Sequence, residues 1–131
     1  MHNPYEAYKS NTVFTATKEE LTLMLYDGAL KFCNQALLAL EKKDVEKANT
    51  MIMKVQAIIR EFQITLDKKY EVSGQLNSLY NYIYNQLVLA NLKKDTEILL
   101  EAKEMIRSLR DTWKEAMKLS RKGAPSVLSS Q

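Results

Sequence analysis

Apolar positions recur at spacings of three and four along four stretches of this 131-residue chain, the period of helices that bury one face. The first stretch opens on Thr17-Lys18-Glu19-Glu20, a capping box in which the Thr17 hydroxyl accepts from the Glu20 N–H while Glu20 reaches back. The pattern predicts a helix from there to about Glu41. Leu21, Leu25, Gly28, Phe32 and Ala36 form one stripe, Tyr26, Cys33 and Leu40 a second, and Leu23, Leu30 and Leu37 a third. An apolar arc wider than half the circumference belongs to a helix buried on more than one side. Asp44 is the N-cap candidate for a second helix from about Val45 to Lys69. There Val45, Ala48, Ile52, Val55, Ile59, Phe62 and Leu66 alternate by three and four as in a bundle seam, and Met51 and Ile58 flank and widen it. Lys68 and Lys69 then suit the dipole of the last turn. Ser73 is placed to cap a third helix ending near Leu92, and Asp95 a fourth. The fourth carries Ile98, Ala102, Met105, Leu109, Trp113 and Ala116 on one face and charges of mixed sign on the other, until Gly123 and Pro125 stop it.

Four long helices joined by short loops predict an all-α fold, an antiparallel up-down-up-down four-helix bundle with a short N-terminal segment. The expected division is a partly flexible cap segment over 1–16, the bundle over 17–122 and a disordered tail over 123–131. No internal repeat at a solenoid period is visible.

The third stretch, Val72 to Leu92, holds no charged residue, although 27% of the chain is charged. Its apolar side is Leu76, Leu79, Tyr80, Ile83, Leu87 and Ala90; the other side carries Asn77, Asn81, Tyr82, Asn85, Gln86 and Leu89 where Lys and Glu are usual. Charge depletion with tyrosine enrichment marks the centre of protein–protein interfaces. A central helix half covered by its own neighbours is the other reading of the same pattern.

Composition narrows the chemistry. Gly 3 and Pro 2 are few for this length, which favours helices over a turn-rich β fold. A net charge of +3 is too mild to imply nucleic acid or anionic lipid, and the basic residues of the fourth helix are diluted by Glu104, Asp111 and Glu115. The single cysteine, Cys33, cannot form an internal disulfide, so a reducing cytoplasm is expected. The N-terminus lacks the apolar core of a secretory signal, and no apolar run reaches membrane-spanning length. The one histidine, His2, lies in the N-terminal segment, which argues against di-iron, phosphotransfer and zinc chemistry. Cys33 has no histidine base within its pattern and reads as a core thiol. Gly28, Gly74 and Gly123 are isolated and form no phosphate loop. Gly28 falls mid-helix, where glycine costs about 1 kcal/mol against alanine; close approach of another helix, or of a ligand chain, would account for it. No enzyme, cofactor or metal is expected.

What remains points to a partner. Tyr82, Gln86 and Leu89 align on the uncharged face, Met51 and Ile58 flank the second helix's seam, and Tyr5 and Tyr8 sit in a segment too short to fold alone. Methionine at such edges suits adaptable apolar recognition. The expected partner contacts are therefore Met51, Ile58, Tyr82, Gln86 and Leu89, with Tyr5 and Tyr8 as a displaceable cap, in the manner of an amphipathic segment laid into a groove. Each has a plainer reading: Met51 and Ile58 complete the core, and Tyr5 and Tyr8 pack over a bundle end.

Specific residues resemble the flagellin-specific export chaperone family, FliS. They are Asn3-Pro4-Tyr5 with Tyr8, Thr15-Ala16-Thr17 leading to Glu20-Leu21, and Met24-Leu25-Tyr26-Asp27-Gly28-Ala29. Thr65-Leu66-Asp67, Leu76-Asn77-Ser78-Leu79-Tyr80-Asn81-Tyr82, Ala90-Asn91 and Trp113 follow in the same order. The resemblance covers about residues 3–118. It implies a cytoplasmic four-helix bundle without catalytic activity. Such a bundle binds the disordered C-terminal segment of flagellin, which wraps around it partly as helices, prevents premature polymerisation and delivers flagellin to the flagellar type III export apparatus. It also implies that the N-terminal segment caps an apolar pocket. The chain departs from the family pattern at Lys18, where many members have proline, and at Asn81, commonly acidic. A non-enzymatic helical adaptor that homodimerises through its third helix is the alternative.

Overall fold

The computed structural model describes residues 15–67 and 72–121. The Thr17 capping box forms: the hydroxyl accepts from the Glu20 N–H at 3.1 Å and donates to the Glu20 carboxylate at 3.1 Å. From it runs α1, Lys18–Glu41. Lys43 takes a left-handed conformation at φ 59, and the Asp44 N–H returns to the Ala39 carbonyl at 2.8 Å, which satisfies the orphan end of α1. Asp44 then caps α2, Val45–Thr65, by accepting from the Lys47 N–H. Helix α3 is Val72–Lys93 and α4 is Thr96–Arg121. The turn between them uses the same device: Lys94 at φ 52, Asp95 N–H to the Ala90 carbonyl, and the Asp95 carboxylate accepting from Ile98.

Several boundaries differ from the sequence expectation. Helix α2 ends at Thr65 because Leu66 turns to extended backbone and buries its side chain; Lys68 and Lys69 lie outside the described residues. Ser73 is not a cap but a buried residue within the first turn of α3. Val45 opens α2 beyond the core edge and is 57% exposed, so the seam starts at Ala48. On α4 the buried line is Leu99, Ala102, Ile106, Trp113, Ala116 and Met117; Ile98, Met105 and Leu109 are half-buried at its edge. Of the segment expected over 1–16 only Thr15 and Ala16 are described, and the tail expected over 123–131 lies outside the described residues.

Each helix packs mainly on two neighbours, in the ring α1, α2, α3, α4 and back to α1. Contacts fix the sense of each pairing. Tyr26 meets Phe62 while Phe32 lies under Lys54, so α1 and α2 run oppositely. Gln63 bonds Asn77 while Asn49 bonds Asn91, which does the same for α2 and α3. The Trp113 indole donates to the Glu19 carbonyl at 3.0 Å and Arg110 pairs with Asp27 at 3.3 Å, which ties the end of α4 to the start of α1.

Alanines and Cys33 line the inner face of α1, and bulkier Tyr80, Ile83 and Leu87 face them from α3. Small residues on one helix set against large ones on another let the layers interdigitate at the centre. Phe62 packs between Tyr26, at 4.4 Å between ring centroids, and Tyr80, at 5.6 Å. The two tyrosine hydroxyls meet across the bundle diagonal at 2.9 Å. Burial, with Tyr80 alongside, pushes the Tyr26 phenol far above its ordinary pKa, so it stays protonated. Among the described residues no helix is long and apolar enough to cross a membrane.

Candidate functional site

The uncharged third stretch folds as α3, and its two sides do different work. Asn77, Asn81, Tyr84 and Asn91 turn toward α2. Gln63 donates to Asn77 at 3.1 Å and to Asn81 at 3.4 Å, and Asn91 donates to Asn49 at 2.8 Å. Arg60 stacks over the Tyr84 ring at 3.7 Å from its centroid and donates to Gln63. Hydrogen bonds from the Gln56 amide and the Arg60 guanidinium hold the Tyr84 phenol below its usual pKa. The α2–α3 seam is thus closed by neutral amides rather than by carboxylate–cation pairs.

Above that seam lies an open depression of about 420 Å³ lined by Asn49, Met53, Gln56, Val88, Leu92 and Lys94, among others. Its apolar members are exposed, Met53 by 55% and Leu92 by 80%. The Lys94 ammonium sits at its end and donates to the Asn91 carbonyl and side-chain oxygen. Sequence reasoning passed over Met53, Val88 and Leu92. The signal available was three large apolar residues outside the core period on neighbouring helices.

The expected contact residues fall into two groups. Ile58 faces α1: a Cβ on Gly28 would lie 3.8 Å from Ile58 Cδ1, and Met51, two turns earlier on the same side of α2, shares that direction. Both are half-buried and pack against the core. Tyr82 and Gln86 are each two residues, about 200° of helix, from Tyr84, and so lie away from α2 on the side nearer α4, as does Leu89. Tyr82 is exposed, whereas Gln86 and Leu89 are half-buried. The structure therefore places Met51 and Ile58 on the α1–α2 side and Tyr82, Gln86 and Leu89 on the α3–α4 side, with the α2–α3 seam between them. A straight helix in one groove cannot touch both groups, but a segment wrapping α2 and α3 can. Tyr5 and Tyr8 lie outside the described residues.

The 3.8 Å separation at Gly28 is ordinary van der Waals contact, so packing of α1 on α2 does not require glycine there. Cys33 is fully buried, and burial pushes its thiol up to about 12, leaving it a poor nucleophile. Among the described residues no group of His, Cys, Asp or Glu gathers to hold a metal ion.

Comparison with known proteins places this geometry in a family. The family model of flagellar protein FliS matches residues 1–120. The flagellar secretion chaperone FliS of Bacillus subtilis (strain 168) is 45% identical over 122 residues, 93% of this chain and 92% of that protein. The protein of the same description from Campylobacter jejuni is 33% identical over 85% of this chain and 88% of its own length. That of Escherichia coli (strain K12) is 29% identical over 82% of this chain and 81% of its own.

Proposed function

The chain belongs to the FliS family, and from that premise we propose that it is a non-enzymatic, cytoplasmic flagellar secretion chaperone whose client is the C-terminal segment of flagellin. In this reading it covers the segment's apolar faces, prevents premature polymerisation and passes the client to the flagellar type III export apparatus. The observation that carries the reading is the charge-free outer surface of α3 beside the exposed Met53, Val88 and Leu92. The apolar members of such a surface gain by being covered.

The client contacts are Met51 and Ile58 on one side, Tyr82, Gln86 and Leu89 on the other, and the α2–α3 seam between. A disordered segment can follow this arc and fold on it, at an ordering cost of about 2–5 kcal/mol that keeps the complex reversible. Tyr5 and Tyr8 act as the displaceable cap over apolar surface when no client is bound.

The test is calorimetric titration of the full chain with a flagellin C-terminal peptide of about 40 residues, beside a scrambled control. Sequence-dependent binding with a large negative heat-capacity change is expected, because apolar burial is coupled to folding. A folded, helical protein that ignores the native peptide overturns the reading.

A further inference from the structure

Five of the six methionines lie among the described residues, and their surroundings differ. Met117 belongs to the core at 7% exposure, and Met51 and Met105 are half-buried with their side chains packed against it. Met24 on α1 is 37% exposed. Met53 on α2 is 55% exposed and lines the α2–α3 depression with Val88 and Leu92. Helix geometry puts it there: Ile52 and Val55 are fully buried, and a residue one or two positions from them, at about 100° each, is turned off their face. The one thiol, Cys33, is fully buried and held protonated, so the accessible sulfurs among the described residues are thioethers.

A thioether is apolar until it is oxidised. Its sulfur takes one oxygen from hydrogen peroxide: the O–O bond breaks, an S–O bond forms, the sulfur gives up two electrons to the peroxide, and water leaves. The oxidant must reach the sulfur, so exposure orders the sites, with Met53 first, Met24 second and the core methionines last. The product is polar and carries a new acceptor oxygen. At Met53 that oxygen replaces apolar floor next to Val88 and Leu92. Polar groups on the α3 side are already engaged, Asn91 with Asn49 and Lys94 with Asn91. An apolar side chain laid over the oxidised residue therefore strands the acceptor away from water.

We infer that Met53 is a reversible oxidation site, and that its conversion to the sulfoxide by a peroxide weakens client docking at the α2–α3 seam. The effect on docking rests on the chaperone reading above; the site of oxidation rests on exposure alone. Thiol-dependent reduction reverses the change: the sulfoxide oxygen leaves as water while two thiols join in a disulfide. The chain thus carries an oxidant-sensitive group on the floor of the depression itself, while the remaining described methionines away from solvent keep the core apolar.

The experiment treats three full-length proteins with dilute hydrogen peroxide: the native chain, Met53→Leu and Met24→Leu. Mass spectrometry of digests maps the added oxygen over time, and melting by circular dichroism verifies that each treated protein stays folded. After the peroxide is removed, each is titrated with the flagellin C-terminal peptide and compared with its own untreated form. Oxygen is expected on Met53 before Met24, Met51, Met105 and Met117. The treated native chain and treated Met24→Leu should bind about tenfold more weakly, the loss that follows covering one unpaired acceptor. Treated Met53→Leu should bind as its untreated form does, and methionine sulfoxide reductases with dithiothreitol should restore the native chain. Earlier oxidation of Met24 or of a core methionine overturns the site. Full oxidation of Met53 with unchanged binding, or an equal loss by Met53→Leu, overturns the effect on docking and leaves the chaperone reading standing. An untreated native chain that ignores the peptide removes that reading and the docking effect together, while the oxidation map still decides the site.

Discussion

Replacing Gly28 by alanine should make this protein more stable. Glycine inside a helix costs about 0.8–1.0 kcal/mol relative to alanine, because the unfolded chain loses more freedom. Among the described residues the nearest atom to an added Cβ is Ile58 Cδ1 at 3.8 Å, an ordinary contact. The new methyl therefore meets an apolar neighbour without displacing it. Gly28 is half-buried, so about half of the ~0.8 kcal/mol for a buried methylene is available in addition. The sum is about 1.2–1.4 kcal/mol of stabilisation, or roughly 4–5 °C in melting temperature for a domain of this size. Urea unfolding followed by circular dichroism reads it directly: the midpoint should rise while the denaturant slope stays constant. A destabilised Gly28→Ala protein refutes the packing argument. Client titration on the same variant asks a separate question. With packing unable to explain the glycine, the close approach of a ligand chain beside Ile58 remains, and client affinity should fall as stability rises. Unchanged affinity would remove Gly28 from the client surface without touching the stability result.

Tyr80→Phe should cost about 1–3 kcal/mol, because the buried Tyr26 hydroxyl loses its partner at 2.9 Å. The double variant Tyr26→Phe/Tyr80→Phe should cost less than the sum of the singles, and additive costs in a double-mutant cycle would refute the pairing. The Cys33 thiol should resist an aromatic disulfide reagent in the folded protein and react once urea unfolds it; fast reaction under native conditions contradicts its burial. Its raised pKa also fixes a sign. Above the ordinary thiol value of 9.0 the unfolded chain releases the proton while the folded chain keeps it up to about 12, so this residue's contribution falls across that interval by at most about 1.4 kcal/mol per pH unit, and Cys33→Ala should flatten the decline. Lys43→Gly should stabilise by about 0.5–1 kcal/mol, since glycine adopts the left-handed end of α1 without a Cβ penalty. Lys94→Gly should gain less, because it also deletes the ammonium that donates to the Asn91 carbonyl at 2.6 Å; equal or larger gain there would show that bond to be idle.

Local chemistry was the legible part of the chain. The Thr17–Glu20 box and the Asp44 and Asp95 caps are set by residues within a few positions of one another, and they form as the pattern predicts. The seam of α2 was legible from Ala48 to Leu66 because apolar residues hold the three-and-four spacing without a break, which outweighs the neighbouring Met51, Met53, Ile58 and Ile64. On α4 the pattern offers Ile98, Leu99 and Leu100 together and Met105 beside Ile106, so apolarity alone cannot say which member of each group turns inward. The neighbouring helices decide, and Leu99 and Ile106 are the ones buried. The same limit applies at the candidate site. The charge-free face of α3 is plain in sequence, but whether Tyr82 or Tyr84 meets α2 depends on where Arg60 and Gln56 stand. The Tyr26–Tyr80 contact joins residues on diagonal helices and has no local signature.

The chemistry of the α2–α3 seam also bears on how a surface can be wet at one time and covered at another. Covering a charged side chain that lacks a partner costs several kcal/mol, and a surface ion pair returns at most about 1 kcal/mol of that. An amide carries a donor and an acceptor and no net charge, so it can exchange a neighbouring amide for a group on an arriving chain with little net change. Asn49, Gln63, Asn77, Asn81 and Asn91 provide such groups along the seam, next to apolar Met53, Val88 and Leu92 that gain by being covered. The outer side of α4 is built the other way, with Glu104–Arg107 and Glu115–Lys118 pairs on exposed residues, and such a face is best left in water. The division of the bundle into an amide-and-apolar side and a charged side therefore favours reversible docking over α2 and α3 and opposes it over α4. It follows that moderate salt should leave client binding at the α2–α3 seam nearly unchanged, while a single Asn85→Glu substitution on the outer face of α3 should weaken it.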